Sequence, residues 1–497
     1  MESSARRLYV AVAACAIVVH LGALWNGFAM DDLYIIVWNP LVHSVEGLWR
    51  AFVTPYWPPD LGGKLYRPLT VATYVLDGQI DDAPWFHAVN LLWHAGAAVA
   101  VTALARRWGG GATAAIVTGL IFAVHPVHVE AIANVIGRAE LMAAVGACLA
   151  VYMAVVKGSV AGSALALVGG LLSKENAAVA PGLILWAWAV GFARPPRQRM
   201  LAFVGSWLAI AAAYVALRGM ILHPYARLHD IAPVFVGESA LAVRLTAVAG
   251  LSDVARLLLF PITLRVDYSP AERTMVQSVL DSRFLLGIAC LALWAALLVQ
   301  AWRRGWRVEA FGLGWIAIAF LPVANLLFPV GVLLAERTLY LPSAGLALAA
   351  GAALARLPPE RLRIVVALLV LAGGLRSAQR VPVWRDDGAI TLSILDDSPN
   401  SYRGPARMAA LYQSHRDPER ALAAIRIATR IFDRDPSLYV AGADAAFTLG
   451  RPRLADSLLA DAERFCYHCW GSYRTQALAA RSRGDSATAD SLLARAR

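Results

Sequence analysis

The stretch FLLGIACLALWAALLVQAW, residues 284–302, carries no charge between Arg283 and the pair Arg303-Arg304. A helix needs about 20 apolar residues to cross the hydrocarbon core of a bilayer, so this run is the right length and composition for a membrane span. Working outward, comparable runs lie near 8–27, 86–105, 112–130, 139–156, 159–173, 177–193, 200–217, 309–328, 332–354 and 362–376. Apolar residues make up 59% of the 497-residue chain and charged residues only 16%, which excludes an ordinary soluble globular protein. The sequence therefore predicts an all-α membrane protein of about 11 spans.

The charges between the runs fix an orientation. With the N-terminus in the cytoplasm, Arg6/Arg7, Arg106/Arg107, Lys157, Arg194/Arg197/Arg199, Arg303/Arg304/Arg307 and Arg356/Arg361/Arg363 all fall in short cytoplasmic segments, as the positive-inside rule requires. The segments 28–85 and 218–283, and everything past about 376, then lie on the extracytoplasmic face. The short fifth run, 159–173, decides the parity of that count. The first run reaches Trp25-Asn26-Gly27 without a small-x-small cleavage site, so it reads as an uncleaved helix. Membrane topology accounts for much of the formal charge of +11, and no nucleic-acid partner is implied. The excess of Arg over Lys suits a GC-rich bacterial genome, hence an inner membrane with the tail in the periplasm.

Long apolar runs stop near residue 385, which divides the chain into a membrane domain, 1–384, and a tail, 385–497. Ala421, Ala455 and Ala489 recur about every 34 residues, as do Leu411, Ala445 and Ala479, and the string Ala-Asp-Ser-Leu-Leu at 455 returns at 489. Asp417-Pro418, Gly450-Arg451 and Gly484-Asp485 supply turns between them. This is the period of tetratricopeptide helix pairs, predicting a C-terminal α-solenoid that either binds a protein acceptor or caps the membrane domain. Cys15, Cys148 and Cys290 sit in apolar runs as small hydrophobes. Cys466 and Cys469 form a C-x-x-C pair open to a disulfide, a metal half-site or two plain thiols.

Polar residues at the span ends carry the chemistry, because charge at membrane depth is costly unless paired or wetted. Asp31-Asp32 follows the first span and offers a general base, a metal ligand or a solvated helix end. Arg67, in Tyr66-Arg67-Pro68-Leu69, is a candidate phosphate ligand. His87, Asn90 and His94 share one helical face, lining a polar cavity or bonding between helices. His125, His128 and Glu130 cluster within six residues, but match no standard zinc spacing, so a metal role is left open. Arg138 and Glu140 follow in Gly137-Arg138-Ala139-Glu140. Lys174, in Ser173-Lys174-Glu175-Asn176, is either a paired turn residue or a point charge for phosphate. Glu336 and Arg337 precede Tyr340, with Arg337 a further phosphate candidate. The assumed topology gathers all of these on one face.

Taken in order, Asp31-Asp32, Tyr66-Arg67-Pro68-Leu69-Thr70, Phe86-His87-x-x-Asn90-Leu-Leu-x-His94, Phe122-Ala-Val-His125-Pro126-Val-His128-x-Glu130-Ala131, Gly137-Arg138-Ala139-Glu140, Lys174-Glu175 and Ala335-Glu336-Arg337-x-Leu-Tyr340-Leu-Pro342-Ser343 resemble the transmembrane and tetratricopeptide repeat-containing (TMTC) O-mannosyltransferase family, from about residue 25 to 345. The chain departs from that family at Glu140, where Asp is common, and in its shorter tail. The resemblance implies a GT-C fold, a polyprenyl-phosphate sugar donor, a protein acceptor, no required cofactor and inverting transfer of a sugar such as mannose outside the cytoplasm. It implies Asp31 or Asp32 as catalytic base, Arg138, Lys174, Arg337 and Arg67 around the donor phosphate, and His87, His94, His125, His128, Glu130, Glu140, Glu336 and Tyr340 lining the site. The rival readings are a ligase or polymerase of lipid-linked oligosaccharide, and a non-catalytic membrane-anchored scaffold.

Overall fold

The computed structural model describes residues 2–59, 63–108, 111–225, 231–268, 270–465, 470–482 and 484–496. Cys466 and Cys469 lie outside the described residues. Among those described, regular structure is entirely helical.

A helix occupies each of the eleven predicted stretches. They are α1 (Glu2–His20), α3 (Ala83–Arg107), α4 (Gly111–Ala123), α5 (Arg138–Val151), α6 (Val160–Ser173), α7 (Ala180–Ala189), α8 (Arg197–Leu222), α10 (Ser282–Arg303), α11 (Arg307–Phe320), α12 (Tyr340–Leu354) and α13 (Pro359–Arg380). The segments expected as loops are themselves partly helical, with α2 (Pro68–Gly78) in the first and α9 (Ala240–Leu259) in the second. Six of the eleven are long and apolar enough to cross a membrane by themselves; Gly111–Ala123 with Pro126–Ala133, bent by 49°, makes a seventh.

Of the remaining four, α6 is as short as predicted, and α7, α11 and α12 are shorter than predicted for a physical reason. At one end of the bundle each meets polar or proline-bearing sequence: Lys174-Glu175-Asn176 after α6 and before α7, Leu321-Pro322 after α11, Glu336-Arg337 before α12. There the chain turns through short 3-10 segments instead of continuing as α-helix. Proline removes a backbone donor and clashes with the preceding turn. Irregular backbone is tolerated at such depth only where protein or a wet cavity covers it, so the broken ends mark where to look for a site.

Small residues hold the bundle close. A methyl added to Gly312 on α11 would strike the carbonyl of Gly345 on α12, and one on Gly345 would strike that of Gly312. The central core joins α1, α3–α7, α11 and α12 through Phe122, Leu141, Leu183, Phe311, Trp315 and Leu348. Leu208 on α8, Leu293 on α10 and Leu368 on α13 point outward and are exposed, the pattern of a lipid-facing surface.

After α13 the chain forms α14 (Asp387–Asp397) and then the pairs α15 (Arg403–Ser414) with α16 (Pro418–Ile431), α17 (Pro436–Thr448) with α18 (Pro452–Arg464), and α19 (Trp470–Ser482) with α20 (Ser486–Ala496). The repeated Ala421, Ala455 and Ala489 are fully buried at equivalent places, where only a small side chain lets paired helices close. Asp417 caps α16 through the Arg420 N–H at 3.1 Å, and Gly450 and Gly484 turn with positive φ. The tail rests on loops of the membrane domain: Ser398 donates to the Asp267 carbonyl at 2.9 Å and Arg434 pairs with Glu238 at 3.0 Å.

Candidate active site

Asp31 and Arg337 line one cavity of about 140 Å³, together with Met30, Glu130, Asn134, Asp267, Trp384 and Arg403. Its walls come from the turn after α1, the bend between α4 and α5, the segment before α12, and the start of the repeat tail. Glu130, 2% exposed at its side chain, forms an ion pair with Arg337 and also accepts the Arg337 backbone N–H at 2.8 Å. That double attachment fixes the guanidinium, while the Arg337 side chain stays 36% exposed. One carboxylate cannot occupy all five guanidinium donors. Arg337 is therefore an oriented cation with donors to spare.

Asp31 is half-buried in this cavity. Burial raises its carboxyl above the ordinary value, and the charges of Arg337, Arg407 and Arg403 oppose that rise. A carboxylate raised by burial yet held in the field of nearby cations can hold a proton taken from a hydroxyl.

Asp32 behaves differently from its neighbour. It is 1% exposed and accepts the backbone N–H groups of Ala29 at 3.2 Å, Val135 at 3.4 Å and Ile136 at 2.9 Å. Burial pushes it up to about 7 in spite of those bonds. It is a clamp on the turn before α5.

Arg138, expected at the donor phosphate, is instead sealed away. It is fully buried, ion-paired with Asp77, and donates to Asn90 Oδ1 at 2.8 Å and the Phe86 carbonyl at 2.9 Å, with Tyr74 beneath its guanidinium at 4.8 Å. The pairing with Asp77 offsets its charge locally, so Arg138 is a strut joining α2, α3 and α5.

Lys174 and Arg67 stand between these extremes. Lys174 pairs with Glu140, whose other oxygen accepts from Asn176 at 3.2 Å, and Arg67 pairs with both oxygens of Glu175 at 2.9 and 3.2 Å. Neither lines the Asp31 cavity. Lys174 nevertheless lies within electrostatic range of Arg337, and Arg337 within range of Glu140 and Asp31. They form a charged layer beside the site.

The histidines are wired into the bundle. His94 bonds the Tyr340 hydroxyl at 2.8 Å and the Ala123 carbonyl at 3.1 Å, His128 bonds the Ser343 hydroxyl at 2.6 Å, His125 reaches the Leu258 carbonyl at 3.0 Å, and His87 the Gly27 carbonyl at 3.1 Å. Among the described residues no group of three or more His, Cys, Asp or Glu could hold a metal ion. Glu336 is buried and accepts from the Tyr268 hydroxyl at 3.0 Å and from the Arg265 N–H. Of the residues expected to line the site, only Glu130 lines the Asp31 cavity; His87, His94, His125, His128, Glu140, Glu336 and Tyr340 instead tie the bundle and its loops together. A larger cavity of about 290 Å³ lies around α9 and shares Leu333 and Leu334 with this one, but its acids are already matched: Asp253 with Arg273 at 2.8 Å and Glu272 with Arg265.

Curated relatives align with the chain across both halves of this arrangement. Protein O-mannosyl-transferase TMTC3 of Mus musculus is 24% identical over 505 residues, covering 90% of the chain and 53% of that protein. TMTC4 of Homo sapiens is 29% identical over 464 residues, 78% of the chain and 61% of that protein. Protein O-mannosyl-transferase F38B6.6 of Caenorhabditis elegans is 27% identical over 347 residues, 67% of the chain and 49% of that protein. The chain is similar to the TMTC proteins. It spans about half the length of the curated relatives it matches. No family profile and no solved structure matches it.

Three cavity residues carry no signal in the sequence. Asp267 and Trp384 stand in stretches without a motif, and Arg403 lies beyond the domain boundary at 384. Asp77, the partner of Arg138, was open to detection: it is an acid within an otherwise apolar helix, four residues from Thr73, which also accepts from Arg138 at 3.3 Å.

Proposed function

We propose that the chain is a GT-C membrane glycosyltransferase that moves a sugar, mannose by analogy with its relatives' names, from a polyprenyl phosphate to a protein hydroxyl on the extracytoplasmic face. The observation that carries this reading is the shared cavity of Asp31 and Arg337, a base and an oriented guanidinium where broken helix ends meet. At about 140 Å³ the cavity is smaller than the roughly 300–1,000 Å³ of a drug-sized ligand site. It suits the reacting end of a substrate, with the lipid tail left in the bilayer.

In this mechanism Asp31 takes the proton of the acceptor hydroxyl as its oxygen attacks the anomeric carbon. The bond from that carbon to the phosphate oxygen breaks from the opposite side, the electron pair leaves with the phosphate, and configuration inverts. Arg337 stabilises the growing negative charge through donors that are fixed in advance by Glu130, which costs little reorganisation. Lys174 and Arg67, whose charges are offset by Glu140 and Glu175, hold the charged layer beside the cavity in place. The inner membrane and a periplasmic repeat domain that engages the acceptor belong to the same proposal.

The test is transfer from a radiolabelled lipid-linked sugar by purified Asp31→Asn. The variant should keep its fold and lose transfer, whereas full activity in Asp31→Asn would refute the assigned base. Lack of turnover by the unaltered protein with every lipid-phosphate sugar, alongside specific capture of a protein by the tail, would favour the scaffold; an oligosaccharide acceptor found by mass spectrometry would favour the ligase.

A further inference from the structure

Arg403 opens the first helix of the repeat array, yet it lines the cavity of Asp31 and Arg337. Its guanidinium lies 3.6 Å from the Asp267 carboxylate, and its side chain is 39% exposed. Asp267 is 9% exposed and is held from both ends, accepting from the Ser401 hydroxyl at its carboxylate and from the Ser398 hydroxyl at its carbonyl. The arrangement repeats that of Arg337 and Glu130: a buried acid steadies a guanidinium that remains partly open to the same space.

Two such cations in one small cavity match a particular change of charge. A sugar phosphodiester carries one negative charge, and a departing lipid phosphate acquires a second. One guanidinium suffices for the first state, and a second is useful only as the bond breaks, which is where binding energy accelerates a reaction. Planar guanidinium forks also suit phosphoryl oxygens better than an ammonium does.

We infer that Arg403 is a second ligand for the phosphoryl group in this cavity, so that the repeat domain completes the membrane domain's active site. The inference rests on the glycosyltransferase reading above. It assigns Arg337 to donor and leaving group alike, and Arg403 chiefly to the leaving group.

The experiment measures binding of a radiolabelled C55 polyprenyl phosphate to the purified full chain in nanodiscs, and transfer kinetics in parallel. The matching polyprenol controls for the lipid tail and inorganic phosphate for the headgroup. Arg403→Gln should weaken binding of the polyprenyl phosphate about tenfold and lower kcat about 10²-fold, the scale of losing one transition-state donor, while donor KM changes less than about twofold. Arg403→Lys keeps the charge and should recover part of both, with an unchanged melting temperature. Arg403→Gln binding the lipid phosphate as tightly as the unaltered protein, while Arg337→Gln loses it, would overturn the role of Arg403 and leave the proposed function standing. Equal losses in Arg403→Gln and Arg403→Lys, with lowered melting temperatures, would reduce Arg403 to a packing residue. Absence of polyprenyl-phosphate binding by the unaltered protein would sink both the inference and the reading beneath it.

Discussion

Asp387, in the first turn of α14, accepts the backbone N–H of Met30 at 2.7 Å, one residue before Asp31. Met30 has φ +55, a left-handed backbone that non-glycine residues seldom adopt. Two further bonds join the same segments: Gly27 N–H to the Arg385 carbonyl at 2.9 Å and Asn26 to the Val381 carbonyl at 3.1 Å. The chain leaving the last span therefore shapes the turn that leaves the first. Membrane domain and tail meet at the residue proposed as base.

Asp387→Ala should consequently lower kcat without abolishing substrate binding. A hydrogen bond to a charged group contributes about 1.5–3 kcal/mol, so a loss on the order of tenfold to a hundredfold is expected. Asp387→Asn keeps an oxygen for Met30 and should retain most activity. Steady-state kinetics of both variants decide this, and equal activity in all three proteins would show that the hook does not position Asp31.

Sealed beside Asp77, Arg138 should serve the fold rather than the donor. Removing it leaves Asp77 buried without its cation, and breaking a buried pair costs about 3–5 kcal/mol. Arg138→Met should therefore lower the melting temperature sharply, and Arg138→Met with Asp77→Leu should restore part of it, because two apolar side chains carry no uncompensated charge. Thermal melts in one detergent check the pair. A stable, folded Arg138→Met that has lost only donor binding would return Arg138 to the phosphate.

Legibility in the sequence followed what each residue depends on. The spans and the repeat period depend on local composition, and helices stand at every predicted stretch, with Ala421, Ala455 and Ala489 buried in register. The gathering of Asp31, Arg337 and Lys174 at one end followed from alternation of spans. Partner choice did not, since it is settled by contacts between remote segments. Asp31 and Asp32 are identical neighbours, yet one turn of backbone sends Asp31 to the cavity and Asp32 under residues 135–136. Nothing local separates Arg138 from its fellow cations; it is Asp77, remote in sequence, that seals it into the bundle. Arg403 carried no local signal because its significance depends on how the tail folds back.

Glu130→Gln should separate holding a cation from supplying one. Glutamine keeps an oxygen for the Arg337 N–H but removes the charge that fixes the guanidinium. Donor KM should rise and kcat fall, by about tenfold together, while Arg337→Gln loses more. Kinetics that place Glu130→Gln below Arg337→Gln would point to direct chemistry by Glu130.

Acidity should move activity and stability in opposite directions. Transfer requires Asp31 without its proton, so the rate falls as pH drops through its value, which burial has raised above the roughly 3.9 of a solvated Asp. Arg337 and Arg403 lower that value and Asp387 raises it, so Arg403→Gln should carry the acid limb of kcat/KM upward and Asp387→Asn downward. For stability the sign reverses. Asp31 and Asp32 are both raised in the folded chain, so the folded state binds more protons than the unfolded state. Their contribution is complete below the unfolded value and is lost as pH rises through the folded one, which for Asp32 is about 7. Melting temperatures should decline between about pH 4 and 7 as transfer increases, and Asp32→Asn should flatten that decline. A melting curve of Asp32→Asn with the same pH slope as the unaltered protein would show that Asp32 is ionised throughout.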